Sequence, residues 1–380
     1  MPKLSVCIPV EPGFAPPHYL VGQLLQKADS DIEVIVAPFG TGGCDDTLVA
    51  LAAGDPRLKI LPAAPETISA ANFWIGTVAA AGGDWITLIY PDDMLEPDLP
   101  KLLVHLEQNH PGADALGWNA FQISASAPRT IKATVPLPVL HDTTILDKTA
   151  MLDAFFQWTG SQQIPRAPFG LFHGALKRGL VDQILASSGE ASWLTPLPRF
   201  EWTARALIFA NELALCNRPL SAASVTPFQP VAIASVLAGF PFDARIGLTA
   251  AIAEIQARVL HDLGVNWEGF GPAFVKACMI DCMLEHDEPS FERKGQAYFT
   301  AIHHMPGGAA LAAEFRPQFF PQPPEDTRRG LHGKTLLIDR FIGNARTAQE
   351  FYAVAWAMMS PVPIMIDRPD ILAQNVQTTW

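Results

Sequence analysis

The sequence predicts an α/β fold: an open, mostly parallel sheet flanked by helices, followed by a largely α-helical C-terminal region. Three observations predict it. The first 120 residues alternate between short apolar runs and segments of helical spacing. The apolar runs are continuous rather than alternating, as in strands buried on both faces. Beyond Phe242 the spacing is mostly helical. Strands that alternate with helices imply parallel pairing, with helices on both faces of the sheet.

The elements follow in order. Leu4–Val10 is a short apolar run and reads as a buried strand; Tyr19–Lys27 has helical spacing; Ile32–Ala37 is a second buried strand. The glycine-rich loop Gly40-Thr41-Gly42-Gly43 follows, and Asp45 or Asp46 can cap a helix to about Ala53. Leu58–Leu61 is a short third strand, and Ser69–Ala81 is a helix closed by Gly82-Gly83. Trp85–Tyr90 is a fourth strand, Pro97 and Asp98 open a helix to about Asn109, and Ala113–Phe121 contains a fifth strand. Helical spacing then marks Lys148–Trp158, Leu176–Ser187 and Trp202–Glu212, and later Thr249–Leu263, Pro272–His286, Ser290–His303 and Thr347–Met358. Arg316–Gly333 is rich in Pro, Arg and Gly and reads as an ordered surface linker. The expected division is 1–230 for the sheet-bearing domain and 231–380 for the helical region.

Composition narrows the function classes. At 380 residues, 49% hydrophobic and 17% charged, the chain can bury a sizeable core and is not a disordered protein. A net charge of −12 promises no basic face for phosphates, so no nucleic-acid partner is expected. Five scattered cysteines do not form a disulfide framework. The N-terminal residues run directly into a strand without a signal-peptide pattern, so a cytoplasmic chain is expected. The longest charge-free stretch, Pro219–Phe242, contains four prolines that would break a spanning helix. It reads as a proline-punctuated loop, with a membrane-touching segment as the lesser reading, and no transmembrane segment is expected.

In parallel sheets, ligands bind at the carboxyl ends of the strands. Here that directs attention to Pro9–Glu11, Pro38–Asp46 and Tyr90–Met94. At the third, an apolar strand delivers Asp92 and Asp93 to its own end, just before a proline-started helix. Adjacent carboxylates repel when both are ionised, unless a cation or several donors sit between them. Mg2+ and Mn2+ prefer carboxylate and phosphate oxygens, so the pair suggests a metal–diphosphate site. The competing reading is a plain acidic turn with Asp93 capping the next helix.

The run Gly82-Gly83-Asp84-Trp85 through Tyr90-Pro91-Asp92-Asp93-Met94-Leu95-Glu96-Pro97 resembles the family 2 glycosyltransferases of GT-A type. Leu4–Val10 and Asp31–Val36 are similar to that family's first two strands, and Asp45-Asp46-Thr47 to the helix start after its nucleotide loop. Asp55-Pro56-Arg57-Leu58, Ser69–Trp74 and Ala115–Trp118 agree in order and spacing, so the likeness spans about 120 residues. A weaker likeness occurs at Pro168–Arg178 and Trp193–Leu207. The resemblance implies an inverting transferase. It would move a sugar from a nucleoside-diphosphate sugar to a glycan or other hydroxyl acceptor, with Mn2+ or Mg2+ bridging the diphosphate. It implies Asp93 as metal ligand, Asp92 at the metal or ribose, and Pro9, Glu11, Asn72 and Arg199 at the nucleotide-sugar, although Glu11 stands where relatives often carry an aromatic residue and reads more readily as an exposed residue of the Glu11-Pro12-Gly13 turn. The helical region would shape the acceptor site or a contact between copies in a homo-oligomer.

Three positions depart from the family pattern. Ala37-Pro38-Phe39 stands where relatives carry an Asp at the end of strand two. Tyr90-Pro91 stands where further Asp is frequent. Arg199 follows the second Pro of Thr195-Pro196-Leu197-Pro198, where relatives place an acidic base; Glu201, two residues on, could substitute or be a helix-start residue. These departures keep open a second reading, a catalytically inactive relative that binds a nucleotide, glycan or partner protein. A nucleotidyltransferase ranks last, because no Lys or Arg follows strand one until Lys27. His173 could line an acceptor pocket or be a satisfied core histidine. Trp118, Trp158, Trp193 and Trp202 could stack on sugars or pack inside. Cys278 and Cys282 share a helix face and read as buried positions, not a zinc site.

Overall fold

The computed structural model describes residues 2–27, 30–40, 42–124, 133–160, 163–189, 193, 197–225, 237, 239–265, 267, 269–321 and 326–367. The first half runs β1 (Leu4–Val10), α1 (His18–Leu25), β2 (Ile32–Pro38), α2 (Asp46–Gly54), β3 (Leu58–Ile60), α3 (Ala70–Ala79), β4 (Trp85–Leu88), β5 (Met94–Leu95), α4 (Leu99–Asn109), β6 (Ala113–Trp118) and β7 (Phe121–Ile123). It continues through β8 (Thr134–Pro138), β9 (Thr143–Leu146), α5 (Lys148–Phe156), β10 (Gly174–Lys177), α6 (Arg178–Ala186), α7 (Pro198–Phe209), β11 (Glu212–Cys216) and β12 (Ser221–Ser224). The remainder is α8 (Leu248–Asp262), α9 (Pro272–Met283), α10 (Glu288–His303), α11 (Gly308–Glu314), β13 (Gly330–His332), β14 (Thr335–Asp339), α12 (Ala348–Trp356) and α13 (Val362–Asp367).

The fold is α/β, with a large and mostly parallel central sheet flanked by helices. Its eight strands lie in the order β3-β2-β1-β4-β10-β6-β11-β9. The first four pair in parallel, as the alternating sequence predicts. β10 enters antiparallel between β4 and β6, β11 runs parallel to β6, and β9 closes the edge antiparallel. Side chains alternate along each strand, so the continuous apolar runs feed two cores. Leu4, Val6, Ile8 and Val10 pack with α1 and α4 on one face. Cys7 joins Ile86, Leu88 and the α7 and α8 residues Leu207 and Ile252 on the other. Each fully buried aliphatic side chain contributes about 1.5–3 kcal/mol relative to exposure, which is why no polar alternation survives in these strands.

Local capping sets the helices that border the site. Asp45 accepts the Leu48 amide at 3.1 Å to start α2, and Ser69 accepts the Asn72 amide at 3.2 Å to start α3.

Three elements differ from the expectations. The helix expected from Leu176 begins at Arg178, because Gly174–Lys177 is taken into the sheet between β4 and β6. The helix expected to reach Glu212 ends at Phe209, where Asp114 captures the Asn211 backbone at 2.9 Å and side-chain amide at 2.7 Å and turns the chain into β11. The fifth strand stops at Trp118 and resumes as β7 in a small sheet ordered β5-β12-β7. In all three cases tertiary pairing overrides local spacing.

The helices α8–α11 pack on one another, and α8 also packs on α7. The hairpin of β13 and β14 pairs with β8. Farther along, Tyr352 of α12 donates to Glu96 at 3.2 Å, beside Arg218 at 2.6 Å from the same carboxylate oxygen. The expected division at 230 falls outside the described residues. Among the described residues, no helix is long and apolar enough to cross a membrane.

Candidate functional site

The order β2-β1-β4 defines a switch point. From β1 the chain moves outward to β2 and β3, then returns through α3 to β4 on the other side of β1. The crevice at the carboxyl ends of β1 and β4 is therefore where a ligand would sit. Pro9 helps to open it. β1 pairs with β4 only as far as Cys7↔Leu88, and the Cys7 carbonyl accepts the Ile89 amide at 3.0 Å. Two residues on, Pro9 faces the same side, where pairing has ended and its missing N–H costs nothing. Pro9 is buried and paired with Ala37 of β2, so it shapes the edge from within the strand.

Glu11 follows β1 directly and is half-buried. Its Oε1 accepts the Trp74 indole N–H at 2.6 Å. Burial pushes the Glu11 carboxyl above its ordinary range, opposed by the Trp74 hydrogen bond. The chain then turns through Gly13, at φ +95°, a conformation natural to glycine, and returns Phe14 to the edge. Phe14 stacks on Tyr90 with centroids 5.4 Å apart and planes 7° apart. Phe172 lies 5.3 Å from Tyr90 and 4.5 Å from Trp74. Four rings from four separate stretches thus make an aromatic wall, which meets the carboxylate of Glu11 through Trp74. Asn72 stands exposed on the first turn of α3, two residues before Trp74.

The strand-two end holds no carboxylate. Phe39 occupies it and packs edge-on to Phe73 at 5.3 Å. The glycine loop after it has Gly40 at φ +63°, a turn conformation; Thr41 lies outside the described residues.

Asp92 and Asp93 are separated by the turn that carries them. Asp92 is exposed. Its carboxyl is raised above the ordinary range by desolvation and then by the neighbouring Asp93 charge, against a hydrogen bond from the Ser224 hydroxyl. Asp93 is 0% exposed. Its Oδ1 accepts the Ser224 amide at 2.7 Å and its Oδ2 the Tyr90 amide at 3.0 Å. His173 Nε2 stands 3.1 Å from the same Oδ2. Asp93 therefore ties the end of β4 to β12 and to the loop before β10.

That loop is forced close to the sheet. A Cβ on Gly117 would lie 2.5 Å from the Pro168 carbonyl oxygen, and one on Gly174 2.5 Å from that of Gly170. Leu88 N donates to Leu171 O at 2.8 Å, and Thr87 Oγ1 donates to Gly174 O at 2.7 Å. His173 is held at φ +51°, uncommon for a residue with a side chain. Its Nδ1 lies 2.8 Å from Ser221 Oγ, which accepts the Trp118 indole N–H at 2.6 Å. His173 thus hydrogen-bonds Ser221 through Nδ1 and holds Nε2 at ion-pair distance from Asp93. With both ring nitrogens engaged, His173 is a framing residue of the site.

Arg199 and Glu201 diverge. Arg199, in the first turn of α7, is exposed, and its guanidinium lies 4.9 Å from the Phe200 ring centroid. Desolvation disfavours its charge, while Tyr90 favours it. Arg199 therefore lies within electrostatic reach of Tyr90. Glu201 is 0% exposed. Arg205 Nη2 and Arg258 Nη2 each lie 3.0 Å from one of its oxygens, and the Trp193 amide donates at 2.9 Å. The expectation of Glu201 as a base meets a physical obstacle: its carboxylate lies inside an arginine pair, without solvent access.

The fit to a divalent cation follows from these contacts. Among the described residues, no group of three or more His, Cys, Asp or Glu side chains could hold a metal ion. Asp93 has already committed both oxygens to protein donors. Asp92 is the accessible carboxylate of the pair. That suits Mg2+ or Mn2+ only in the mode where one protein carboxylate joins substrate phosphates and water.

The sequence pointed to this edge but not to the side chains that line it. Phe14 and Phe172 carried no signal of their own, and Tyr90 read as a lost carboxylate. Of the four tryptophans considered for sugar stacking, Trp118, Trp158 and Trp202 are 1% exposed and Trp193 is 5% exposed. Trp74, noted only for its helix-opening context, is the one that reaches Glu11.

No protein-family model matches the chain, and no match to a curated protein is found. The structure is similar to that of S. aureus TarS residues 1–349 in complex with UDP-GlcNAc, at 14% identity and TM-score 0.47, covering 81% of this chain and 83% of that one. It is also similar to the mannosyltransferase PcManGT from Pyrobaculum calidifontis in complex with GDP-Man and Mn2+. There the identity is 13% and the TM-score 0.39, over 98% of this chain and 85% of that one. Likeness this distant leaves the chemistry to be argued from the residues of this chain.

Proposed function

We propose that this chain binds a nucleoside-diphosphate sugar across the carboxyl ends of β1 and β4 and transfers the sugar to a hydroxyl of a glycan or other acceptor. The observation that carries this reading is that Glu11, Asp92 and Arg199 all act electrostatically on Tyr90, a ring of the aromatic wall at the end of β4. The sequence resemblance to family 2 glycosyltransferases supports it. The rings offer faces for flat or apolar ligand surfaces. Arg199 offers a planar donor fork for a phosphate and for the charge that grows on a diphosphate leaving group. Asp92 would hold a Mg2+ or Mn2+ ion bound with the diphosphate, and that ion would supply Lewis-acid stabilisation of the leaving group. Asp93 and His173 keep the Asp92 turn in place.

An inverting displacement needs a group that takes the acceptor proton. The engagement of Glu201 with Arg205 and Arg258 favours a second reading, in which the site binds the nucleotide-sugar without turnover.

Calorimetric titration of nucleoside diphosphates, with and without Mn2+, tests binding on the parent and on Asp92→Asn. Binding that Mn2+ strengthens in the parent and not in the variant supports the proposal. Absence of nucleotide binding in a folded sample would sink it. Release of free sugar or transfer to an added acceptor then separates turnover from binding alone.

A further inference from the structure

We propose that Glu11 reads the nucleobase and selects a guanine nucleotide over a uracil one, with Trp74 as the residue that positions it. This rests on the nucleotide-sugar reading above. The strand-two end, where a base-reading acid would otherwise stand, presents Phe39 packed on Phe73. The half-buried carboxylate of the crevice is instead Glu11, at the end of the adjacent strand. Trp74 holds Oε1 at 2.6 Å, and among the described residues Oε2 has no hydrogen bond. No cation among the described residues acts on this carboxylate; its perturbing influences are burial and the Trp74 indole. A half-buried carboxylate without a counter-ion wants N–H donors from a ligand.

The chemistry of the bases then discriminates. Guanine presents two parallel donors on one edge, the ring N1–H and the exocyclic amine, which match the two oxygens of a carboxylate. A carboxylate accepts at about four lone-pair sites, so the Trp74 bond leaves room for both. Uracil presents a single N–H between two carbonyl oxygens, and those oxygens repel a carboxylate. The wall of Phe14, Tyr90 and Phe172 suits the larger purine face. Asp92 and Arg199, in the same crevice, are left for the diphosphate.

The test is titration of GDP, IDP and UDP against the parent, Glu11→Gln and Trp74→Phe. IDP lacks the exocyclic amine and keeps N1–H. Glutamine keeps an acceptor for the Trp74 indole and loses the second acceptor. The parent should bind GDP about 10–100-fold tighter than UDP, with IDP between them. Glu11→Gln should lose most of that preference and the difference between GDP and IDP, with GDP binding weakened and UDP binding tightened as the repulsion between the carboxylate and the uracil oxygens is removed. Trp74→Phe should reduce the preference in the same direction without removing UDP binding. Equal or tighter binding of UDP by the parent overturns the inference and leaves the nucleotide-sugar reading standing. So does an equal loss of all three nucleotides in Glu11→Gln. Failure of every nucleotide to bind the folded parent overturns both.

Discussion

Asp92 and Asp93 are adjacent in the chain and opposite in environment. Asp92 faces solvent at the crevice, whereas Asp93 is 0% exposed and accepts the Tyr90 and Ser224 amides. One carboxylate is available to a ligand because the other holds the turn.

Asp93→Ala should act on stability. It removes the acceptor for two half-buried backbone amides, at a cost of up to about 1–3 kcal/mol for each group left unsatisfied. Urea unfolding should show a lower midpoint with an unchanged slope. A variant that unfolds like the parent and loses only metal-dependent binding would show Asp93 to be a ligand instead of a frame.

Asp92→Asn should do the reverse. The folded-state carboxyl of Asp92 is raised above its unfolded value, so the folded state holds the proton more tightly than the unfolded chain. Its contribution therefore favours folding in acid and weakens as pH rises through the carboxylate range. Removing the charge should raise Tm at neutral pH, and the gain should vanish in acid. Metal-assisted nucleotide binding has the opposite sign, being present above the raised Asp92 pKa and lost as pH falls through it. A Tm gain that persists in acid would count against the assignment.

Glu201→Gln separates a structural carboxylate from a catalytic one. Breaking a buried ion pair by removing one partner costs about 3–5 kcal/mol, because the opposite charge stays buried. Here Arg205 and Arg258 would each lose one carboxylate while keeping another, Asp262 at 2.7 Å and Glu254 at 3.3 Å. The expected result is a large fall in thermal and denaturant stability. A fully stable variant with abolished transfer would restore Glu201 as the base.

Arg199→Ala should weaken nucleoside-diphosphate binding about tenfold, the worth of a charge-assisted hydrogen bond, with stability within about 0.5 kcal/mol of the parent. The parent's affinity should fall with added salt more steeply than the variant's. Unchanged affinity would place Arg199 outside the site.

What the sequence determined by itself was the parallel half of the sheet, whose carboxyl-end edge is the place proposed for a ligand. Leu4–Val10 and Ile32–Pro38 are apolar but for Ser5 and Glu33, which bond to each other, and a strand covered on both faces tolerates that pattern. Ser69 and Asp45 announced their helices because capping is a contact between near neighbours in the chain. Tertiary structure decided the rest. β10 is a strand because β4 and β6 leave a place between them, although its residues fit a helix equally well. Phe14, Trp74, Tyr90 and Phe172 become one wall only when the ends of β1 and β4, helix α3 and the loop before β10 meet. The separation of Asp92 from Asp93, and of Arg199 from Glu201, was likewise beyond reach in sequence. Spacing fixes which residues are neighbours along the chain, while burial and partner geometry fix which of two neighbouring charges meets solvent and which is held inside.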